Sequence, residues 1–358
     1  MEARGTPHLP LGWRKSIVSS LKRYLKPVYL VWVFLFPIFW WVLRSTPLAD
    51  IRSVLGQLTL GQVLALVGIN LIVLLTFTSR WWFVLGALGY RLPLLSLVSY
   101  RLAGFGLSYF TPGPQFGGEP LQVHLLRNRH AIPASSAVAA VSLDKLFELL
   151  VNFSFLVFGI LMILRGRLFQ DHLTLPLIPL VVLLLMLPTA YLISLWVGGK
   201  PFGWLARRAS SHLAANPTFN RTLQTLVASE EHMVNFCQGK SATLLKILGI
   251  SLFPWLFVVA EYWLTLVFLG QSLGAYQIIS LLAAARIAFL LPSPGGLGTL
   301  EASQVLMMQA FGLNPALGIG VSLLIRGRDL ALASLGLWLG AYFSRRQAPI
   351  ILPSQAGD

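Results

Sequence analysis

Residues 111–134 read TPGPQFGGEPLQVHLLRNRHAIPA, a stretch rich in proline and glycine that interrupts an otherwise apolar chain. A related stretch, SPGGLGTLEASQVLMMQAFGLNPA, occupies residues 293–316. At a constant offset of 182 residues, seven positions are identical: Pro112/Pro294, Gly113/Gly295, Glu119/Glu301, Gln122/Gln304, Val123/Val305, Pro133/Pro315 and Ala134/Ala316. Helix-breaking residues and an acid that recur at one spacing indicate an internal structural repeat, which is typical of many transporter folds.

The composition of the chain excludes an ordinary soluble protein. Of the 358 residues, 56% are hydrophobic and only 11% are charged, and the mean hydropathy is +0.74. Soluble domains carry about 25% charged residues. The sequence therefore predicts an all-α, polytopic transmembrane helical bundle. Cys237 is the single cysteine, which excludes an intramolecular disulfide and a cysteine-based metal site, so we expect neither a metal nor a cofactor.

The net charge of +15 does not indicate a nucleic-acid partner in a chain of this kind. Much of the basic excess lies beside apolar runs, where lysine and arginine set membrane orientation and attract anionic lipid. We therefore expect membrane phospholipids as partners and no nucleic acid.

Apolar runs predict six full membrane spans. They lie at about 27–43, 60–78, 135–164, 173–197, 244–269 and 315–343. Each proline- and glycine-rich motif, with the helix before it, is predicted to form a re-entrant hairpin, at about 94–130 and 276–312. A basic N-terminal segment (1–26), a loop (198–241) and a tail (344–358) are predicted to be cytoplasmic.

The distribution of lysine and arginine supports this topology. Arg80, Arg91 and the basic residues of the 198–241 loop fall on the cytoplasmic side, whereas the second motif, which has neither lysine nor arginine, falls outside. An odd number of spans separates the motifs, so the two repeats are predicted to be inverted, with both termini at the cytoplasmic face of the cytoplasmic membrane. Hairpins that cross fully would give ten spans and the same orientation, and this alternative stays open.

Charged residues within or beside the apolar stretches are the candidate functional residues. Eleven unpaired charges at about 3 kcal/mol each would cost on the order of 30 kcal/mol. Because a typical fold is stable by roughly 5–15 kcal/mol, we expect them to be paired, hydrated or at the interface. The intramembrane charges are Arg101, Asp144, Lys145, Glu148, Glu261, Arg286, Arg326, Arg328 and Asp329, and the motif acids are Glu119 and Glu301.

Two interpretations of these charges remain open. They line a hydrated cavity that binds a polar ligand at mid-depth, or they only pair and lock helices together. Broken helices are tolerated at membrane depth mainly where they line protein or water, which favours the cavity. In the repeat, Asp144 corresponds to Arg326, which suggests that opposite charges meet across a pseudo-two-fold axis.

The two motifs supply the candidate substrate-binding or gating residues. Half-helix N-termini in the motifs would direct N–H groups inward, an arrangement that suits a phosphate. Glu119 and Glu301 are predicted to act as helix caps or as gating, cation-pairing acids. The candidate residues are Thr111, Pro112, Gly113, Gly117, Gly118, Glu119, Pro294, Gly295, Gly296, Gly298 and Glu301.

The motifs and the spans that follow them resemble a known family. TPGPQFGGEP before a span with Asp144, and LPSPGGLGTLE before a span with Arg326, resemble the membrane region of lysylphosphatidylglycerol synthetases, also called flippase-like or UPF0104-type proteins. The resemblance covers roughly residues 25–345. It implies a flippase or lipid-binding role, because in bifunctional relatives this region moves an aminoacylated phosphatidylglycerol between leaflets. Since the chain ends at Asp358 without an aminoacyl-transfer domain, we do not expect lipid synthesis.

Three functions are compatible with the sequence. The first is a flippase or transporter that moves an anionic or aminoacylated phospholipid, or a related lipid-linked amphiphile. The second is a membrane subunit that partners a separately encoded lipid synthetase or glycosyltransferase. The third is an integral-membrane transferase with Asp144 and Glu148 as paired acids, although no catalytic residue is identified. Gly336 and Gly340, spaced as G-x-x-x-G, predict close helix packing or a homo-oligomer contact.

Overall fold

A computed structural model of the protein describes residues 56, 58–110, 117–165, 177–213, 217–239, 241–291 and 296–345. The expected N-terminal segment (1–26) and first span (27–43) lie outside the described residues, as does almost all of the expected tail (344–358).

The described residues form eleven helices and no strand, which confirms the all-α prediction. The helices are α1 (Leu60–Ala87), α2 (Leu94–Phe110), α3 (Glu119–His130), α4 (Ala134–Arg165), α5 (Leu177–Val197), α6 (Pro201–Leu213), α7 (Pro217–Gly239), α8 (Ser241–Phe268), α9 (Ala275–Leu290), α10 (Thr299–Ala310) and α11 (Pro315–Arg345).

Three of these helices are long and apolar enough to cross a membrane. They are α1, α4 and the Ala242–Phe268 part of α8, with mean hydropathies of 2.0 to 2.3. They overlap the expected spans at about 60–78, 135–164 and 244–269. Helix α11 is also long, with 31 residues, but it carries Arg326, Arg328 and Asp329 in its middle. The described chain is therefore a helical membrane protein with charges deep in its helices.

The helices on either side of α5–α7 correspond in order and length. The N-terminal set, α1–α4, has 28, 17, 12 and 32 residues. The C-terminal set, α8–α11, has 28, 16, 12 and 31 residues. Helix α2 packs along α11, α9 packs along α4, and α1 packs along α8. The two sets thus interlock, and each contributes walls to the space between them.

Helices α2 and α11 cross at glycines, which allow their backbones to touch. A Cβ atom at Gly336 would lie 1.9 Å from the Leu102 carbonyl oxygen, and one at Gly106 would lie 2.5 Å from the Ala333 carbonyl oxygen. Gly340, also on α11, faces Ala103 of α2. The two glycines of the G-x-x-x-G motif therefore serve helix packing within the chain.

The segment between the two sets folds into α6 and α7, and a buried acid joins them. Glu230 of α7 is only 1% exposed. Its carboxylate accepts the N–H groups of Phe202 at 2.9 Å and Gly203 at 2.6 Å, in the first turn of α6. An acid at this place satisfies free amides and interacts favourably with the helix dipole. Glu230 thereby fixes the start of α6 against α7.

Glu230→Gln should loosen the first turn of α6. One amide oxygen cannot accept both N–H groups as the carboxylate does, and the negative charge at the helix start is lost. Loss of a cap costs about 1 kcal/mol, so exchange of the Phe202 and Gly203 amides should become roughly fivefold to tenfold faster. Hydrogen–deuterium exchange of the purified protein measures this. The control is Glu231→Gln, because exposed Glu231 bonds only to Lys200, at 2.9 Å, among the contacts described for it. Equal exchange in both variants would contradict the capping role.

Candidate functional site

A cavity of about 330 Å³ lies between the two helix sets. Its walls come from α1–α4 on one side and from α8, α9 and α11 on the other. Aromatic and aliphatic side chains form part of the lining, among them Phe153, Phe289 and Leu290. Four basic and four acidic residues also line it: Arg101, Lys145, Arg286, Arg328, Glu119, Glu148, Glu261 and Asp329. The cavity therefore combines an apolar surface with balanced formal charges.

A four-residue ionic cluster forms part of one wall of the cavity and extends behind it. The Arg80 Nε atom donates to Asp144 at 2.7 Å, and Arg101 donates to the other oxygen of Asp144 at 2.5 Å. Both arginines also lie near Glu148, at 3.3 and 3.7 Å. This arrangement binds α1, α2 and α4 together, and it neutralises the two acids that the transferase hypothesis pairs.

Arg80 is a residue of this cluster that the sequence predicts at the cytoplasmic end of a span. The structure instead buries Arg80, which is 1% exposed, because α1 continues for seven residues beyond it to Ala87. The apolar residues Phe83, Val84 and Leu85, which extend the helix past the expected end at about residue 78, were the available signal.

Glu119 and Lys145 extend the charged wall to the start of α3. Lys145 lies 3.3 Å from Glu119 and 2.9 Å from Glu148. Glu119 also accepts the Gly117 N–H at 2.9 Å, and Gly118 donates its N–H to Ser108 at 2.8 Å. Glu119 thus pairs with a cation and also accepts a backbone N–H just before α3, while α3 has no side-chain hydrogen bond from its N-cap residue, Gly118.

Glu301 occupies the same place in the C-terminal set and is more deeply buried. It accepts two bonds from the Arg326 guanidinium, one of them at 2.7 Å from Nη2, and it accepts the Gly298 N–H at 2.9 Å. Arg326 also donates to the Gly296 carbonyl oxygen at 2.9 Å. Gly296 and Gly298 have φ values of 68° and 77°, which glycine adopts without strain. The ion pair therefore clamps the glycine turn onto α11.

A third group of charges joins α8 and α11 beside α1. Arg328 donates to Glu261 and, at 2.8 Å, to Asp329. Asn70 of α1 donates to Glu261 at 3.1 Å. Asn70 did not stand out in the sequence, because a single amide in a membrane helix carries no spacing signal. The group ties the N-terminal set to the C-terminal set at the cavity wall.

The described ion pairs among the intramembrane charges form within each set and not between sets. Asp144 pairs with Arg80 and Arg101, and Arg326 pairs with Glu301, so the suggested meeting of Asp144 and Arg326 across the axis was wrong. The ion pairs therefore hold together the helices of one set. The two sets are held to each other mainly by helix packing, of α2 on α11, α1 on α8 and α9 on α4. Ten of the eleven predicted charges have an opposite charge within 4.0 Å.

Arg286 is the exception among those eleven residues. Within the described part of the chain it has no carboxylate within 4.0 Å and no hydrogen bond. Its guanidinium carbon lies 5.1 Å from the ring centroid of Trp255, which also lines the cavity. Trp255 is itself stacked on Phe155 at a centroid distance of 4.3 Å. Arg286 is therefore a cation held over an aromatic ring at the cavity wall.

Part of the predicted site falls outside the described residues. This applies to Thr111, Pro112 and Gly113 in the first motif and to Pro294 and Gly295 in the second. The remaining motif glycines border the ionic contacts: Gly117 and Gly118 precede Glu119, and Gly296 and Gly298 precede Glu301.

Comparison with known proteins supplies the family. Residues 28–336 match the family described as the lysylphosphatidylglycerol synthase TM region. The chain belongs to this family. The match includes all the charge clusters described above, and it confirms the resemblance inferred from the two motifs.

Two curated relatives of this lysylphosphatidylglycerol synthase TM-region protein are similar over most of their length. A UPF0104 membrane protein of Methanothermobacter thermautotrophicus is 21% identical over 285 residues, which is 77% of this chain and 83% of the relative. A UPF0104 membrane protein of Methanocaldococcus jannaschii is 23% identical over 264 residues, or 72% of this chain and 77% of the relative. No solved structure matches the chain significantly.

Proposed function

We propose that this protein is a flippase-like transporter that moves a lipid across the cytoplasmic membrane while its headgroup occupies the central cavity. The observation that carries the proposal is the cavity itself, whose eight ionisable side chains lie between two interlocked helix sets. A polar headgroup cannot cross hydrocarbon without compensating contacts, and these side chains supply them. The apolar part of the lining suits the adjoining glycerol and acyl groups. Anionic or aminoacylated phospholipids and related lipid-linked amphiphiles are the cargo class.

We further infer that α1–α4 and α8–α11 are inverted repeats with re-entrant hairpins formed by α2–α3 and α9–α10. The matching helix lengths and reciprocal packing of α2 on α11 and α9 on α4 support this. Helices α3 and α10 have 12 residues each, or about 18 Å at 1.5 Å per residue. They are too short for a hydrocarbon core of about 30 Å. Such broken helices are found at the substrate sites of transporters with inverted repeats.

Leaflet exchange in proteoliposomes tests the transport proposal. Vesicles would carry fluorescent phosphatidylglycerol, lysyl-phosphatidylglycerol or a polyprenyl-linked sugar, and the fraction accessible to an external quencher would be followed over time. The wild type should exchange at least one of these lipids faster than empty vesicles. Asn152→Trp should reduce that rate by roughly tenfold or more, because Asn152 lines the cavity and an indole would fill much of it.

The control is Leu161→Trp on the same helix, α4. Leu161 is exposed on the outer surface, so a larger apolar side chain there contacts lipid and leaves the cavity unchanged. Its exchange rate should stay within about twofold of the wild type. Wild-type rates equal to those of empty vesicles for all three lipids would overturn the proposal and favour a subunit that requires a separately encoded enzyme.

A further inference from the structure

Arg286 carries a charge that the described protein leaves without a counter-charge in contact. Arg80, Arg101, Lys145, Arg326 and Arg328 each lie within 4.0 Å of a carboxylate. A guanidinium in a low-dielectric interior without an ion pair is costly, and a cation–π contact recovers only part of that cost. A structural role alone therefore does not explain an arginine at this position.

The surroundings of Arg286 leave its donors open to the cavity. The guanidinium carbon of Arg286 lies over the Trp255 ring, 5.1 Å from its centroid. Arg286 lines the cavity. Its nitrogens have no hydrogen-bond partner among the described residues, yet they are not fully buried. Trp255 is itself buried and stacked on Phe155, so the ring beside the guanidinium is held in place by its own packing. Arg286 therefore places guanidinium donors at the cavity wall, without a carboxylate within 4.0 Å among the described residues.

The helix N-termini of the two motifs are less suitable for an anion than the sequence suggested. The N–H groups of Gly117 and Gly298 are bonded to Glu119 and Glu301, and that of Gly118 is bonded to Ser108. These amides are occupied, and two of their partners are themselves negative. Of these residues only Ser108, Gly118 and Glu119 are among those that line the cavity. An anion there would meet the Glu119 carboxylate at this helix start, whereas Arg286 offers a cation without a carboxylate in contact.

The position of Arg286 also distinguishes the two helix sets. At the offset of the repeat, its counterpart in α2 is Gly104. A Cβ atom at Gly104 would lie 2.5 Å from the Gln122 side chain, so that place is filled by close packing. The open cation therefore exists on one side of the cavity, which gives a bound headgroup a defined orientation.

We propose that Arg286, held by Trp255, binds the phosphate group of the lipid that occupies the cavity. This inference rests on the proposed transport function. The planar fork of arginine matches two phosphate oxygens, which a lysine ammonium cannot match in the same way. The ligand class is a lipid phosphate ester, because apolar residues such as Phe289 and Leu290 lie beside Arg286 on α9 and also line the cavity. A phosphate bound here would receive a bidentate contact from a cation that has no carboxylate within 4.0 Å among the described residues.

Binding of a short-chain lipid to the purified full-length protein in detergent tests this. The probe is dioctanoyl-phosphatidylglycerol, with dioctanoylglycerol and inorganic phosphate as separate arms. Arg286→Gln should weaken binding of the phospholipid at least tenfold, and Arg286→Lys should weaken it about threefold. Dioctanoylglycerol, which lacks phosphate, should bind equally to wild type and Arg286→Gln. The control Lys246→Gln removes a charge from an exposed position of α8 and should leave binding unchanged.

Each outcome decides the question. Unchanged phospholipid binding in Arg286→Gln, with wild-type elution and melting temperature, would overturn the subsite. If Arg286→Gln fails to fold, wild-type affinity in Arg286→Lys would overturn it. Displacement of the lipid by millimolar inorganic phosphate in the wild type would assign the site to free phosphate and contradict a lipid ligand. Arg286-dependent binding in a protein without leaflet exchange would keep the subsite and remove the transport proposal, so the two can fail separately.

Discussion

Glu301→Gln should lower the free energy of unfolding by about 3–5 kcal/mol, because it removes the buried carboxylate that pairs with the Arg326 guanidinium. The side chains of Glu301 and Arg326 are only 3% and 14% exposed. Glutamine keeps one acceptor oxygen in place of the two that serve the Gly298 N–H and the Arg326 guanidinium, so the turn that Arg326 holds through Gly296 should loosen. Reversible unfolding in mixed micelles of mild detergent and dodecyl sulfate, followed by circular dichroism, measures the loss.

The repeat provides a matched control for this prediction. Glu119 stands at the equivalent position, but Glu119 and its partner Lys145 are 27% and 21% exposed. Lys145 keeps Glu148 at 2.9 Å when Glu119 is neutralised. Glu119→Gln should therefore cost at most about 1 kcal/mol, as expected for a partly solvated pair. If both variants lost the same free energy of unfolding, burial would not explain how much the Glu301–Arg326 pair contributes to stability.

Gly336→Ala should destabilise the protein by about 3 kcal/mol, near the upper end of the range for overpacked positions. The added methyl group would lie 1.9 Å from the Leu102 carbonyl oxygen, and a backbone atom cannot move aside as a side-chain end can. Helices α2 and α11 would have to separate along a crossing that also includes Gly106. The same micelle unfolding assay measures the effect, and proteolysis should cut the variant more rapidly.

Gly327→Ala on the same helix is the control for the helix crossing. A Cβ atom at Gly327 would meet nothing within 4 Å, and the position is exposed. Alanine is a better helix former than glycine by about 1 kcal/mol, so this variant should be as stable as the wild type or more so. A loss of stability in Gly327→Ala similar to that in Gly336→Ala would mean that the close approach at Leu102 is not the cause.

The sequence was sufficient for the helical class and the family because both depend on local features. Apolar runs and breaker residues such as Gly296 and Gly298 are visible along the chain. The partners of Asp144 were not predictable, since Arg80 and Arg101 lie 64 and 43 residues earlier on different helices. Which charges meet depends on how α1, α2 and α4 are rotated about their axes, and apolar periodicity is weak in helices that are hydrophobic on every face.

The contacts of Arg286 were also not predictable from the sequence. In the sequence it is one of several arginines inside apolar stretches; Asp329 follows Arg326 and Arg328 closely and no acid lies near Arg286, but this does not show which charges meet in the fold. Only the folded chain shows that those two face carboxylates while Arg286 faces an indole ring. The distinction between a structural cation and a candidate binding residue therefore comes from tertiary contacts.

The balanced charge of the cavity lining has an electrical consequence. Four bases and four acids surround the empty space, so an unoccupied cavity that changes its exposure from one leaflet to the other carries no net charge through the membrane field. A monoanionic phosphate ester in the same space adds one negative charge. Moving one charge through a potential of 100 mV changes the free energy by about 2.3 kcal/mol. In the proposed transport cycle, the membrane voltage would thus act on the loaded protein and favour one direction of lipid movement.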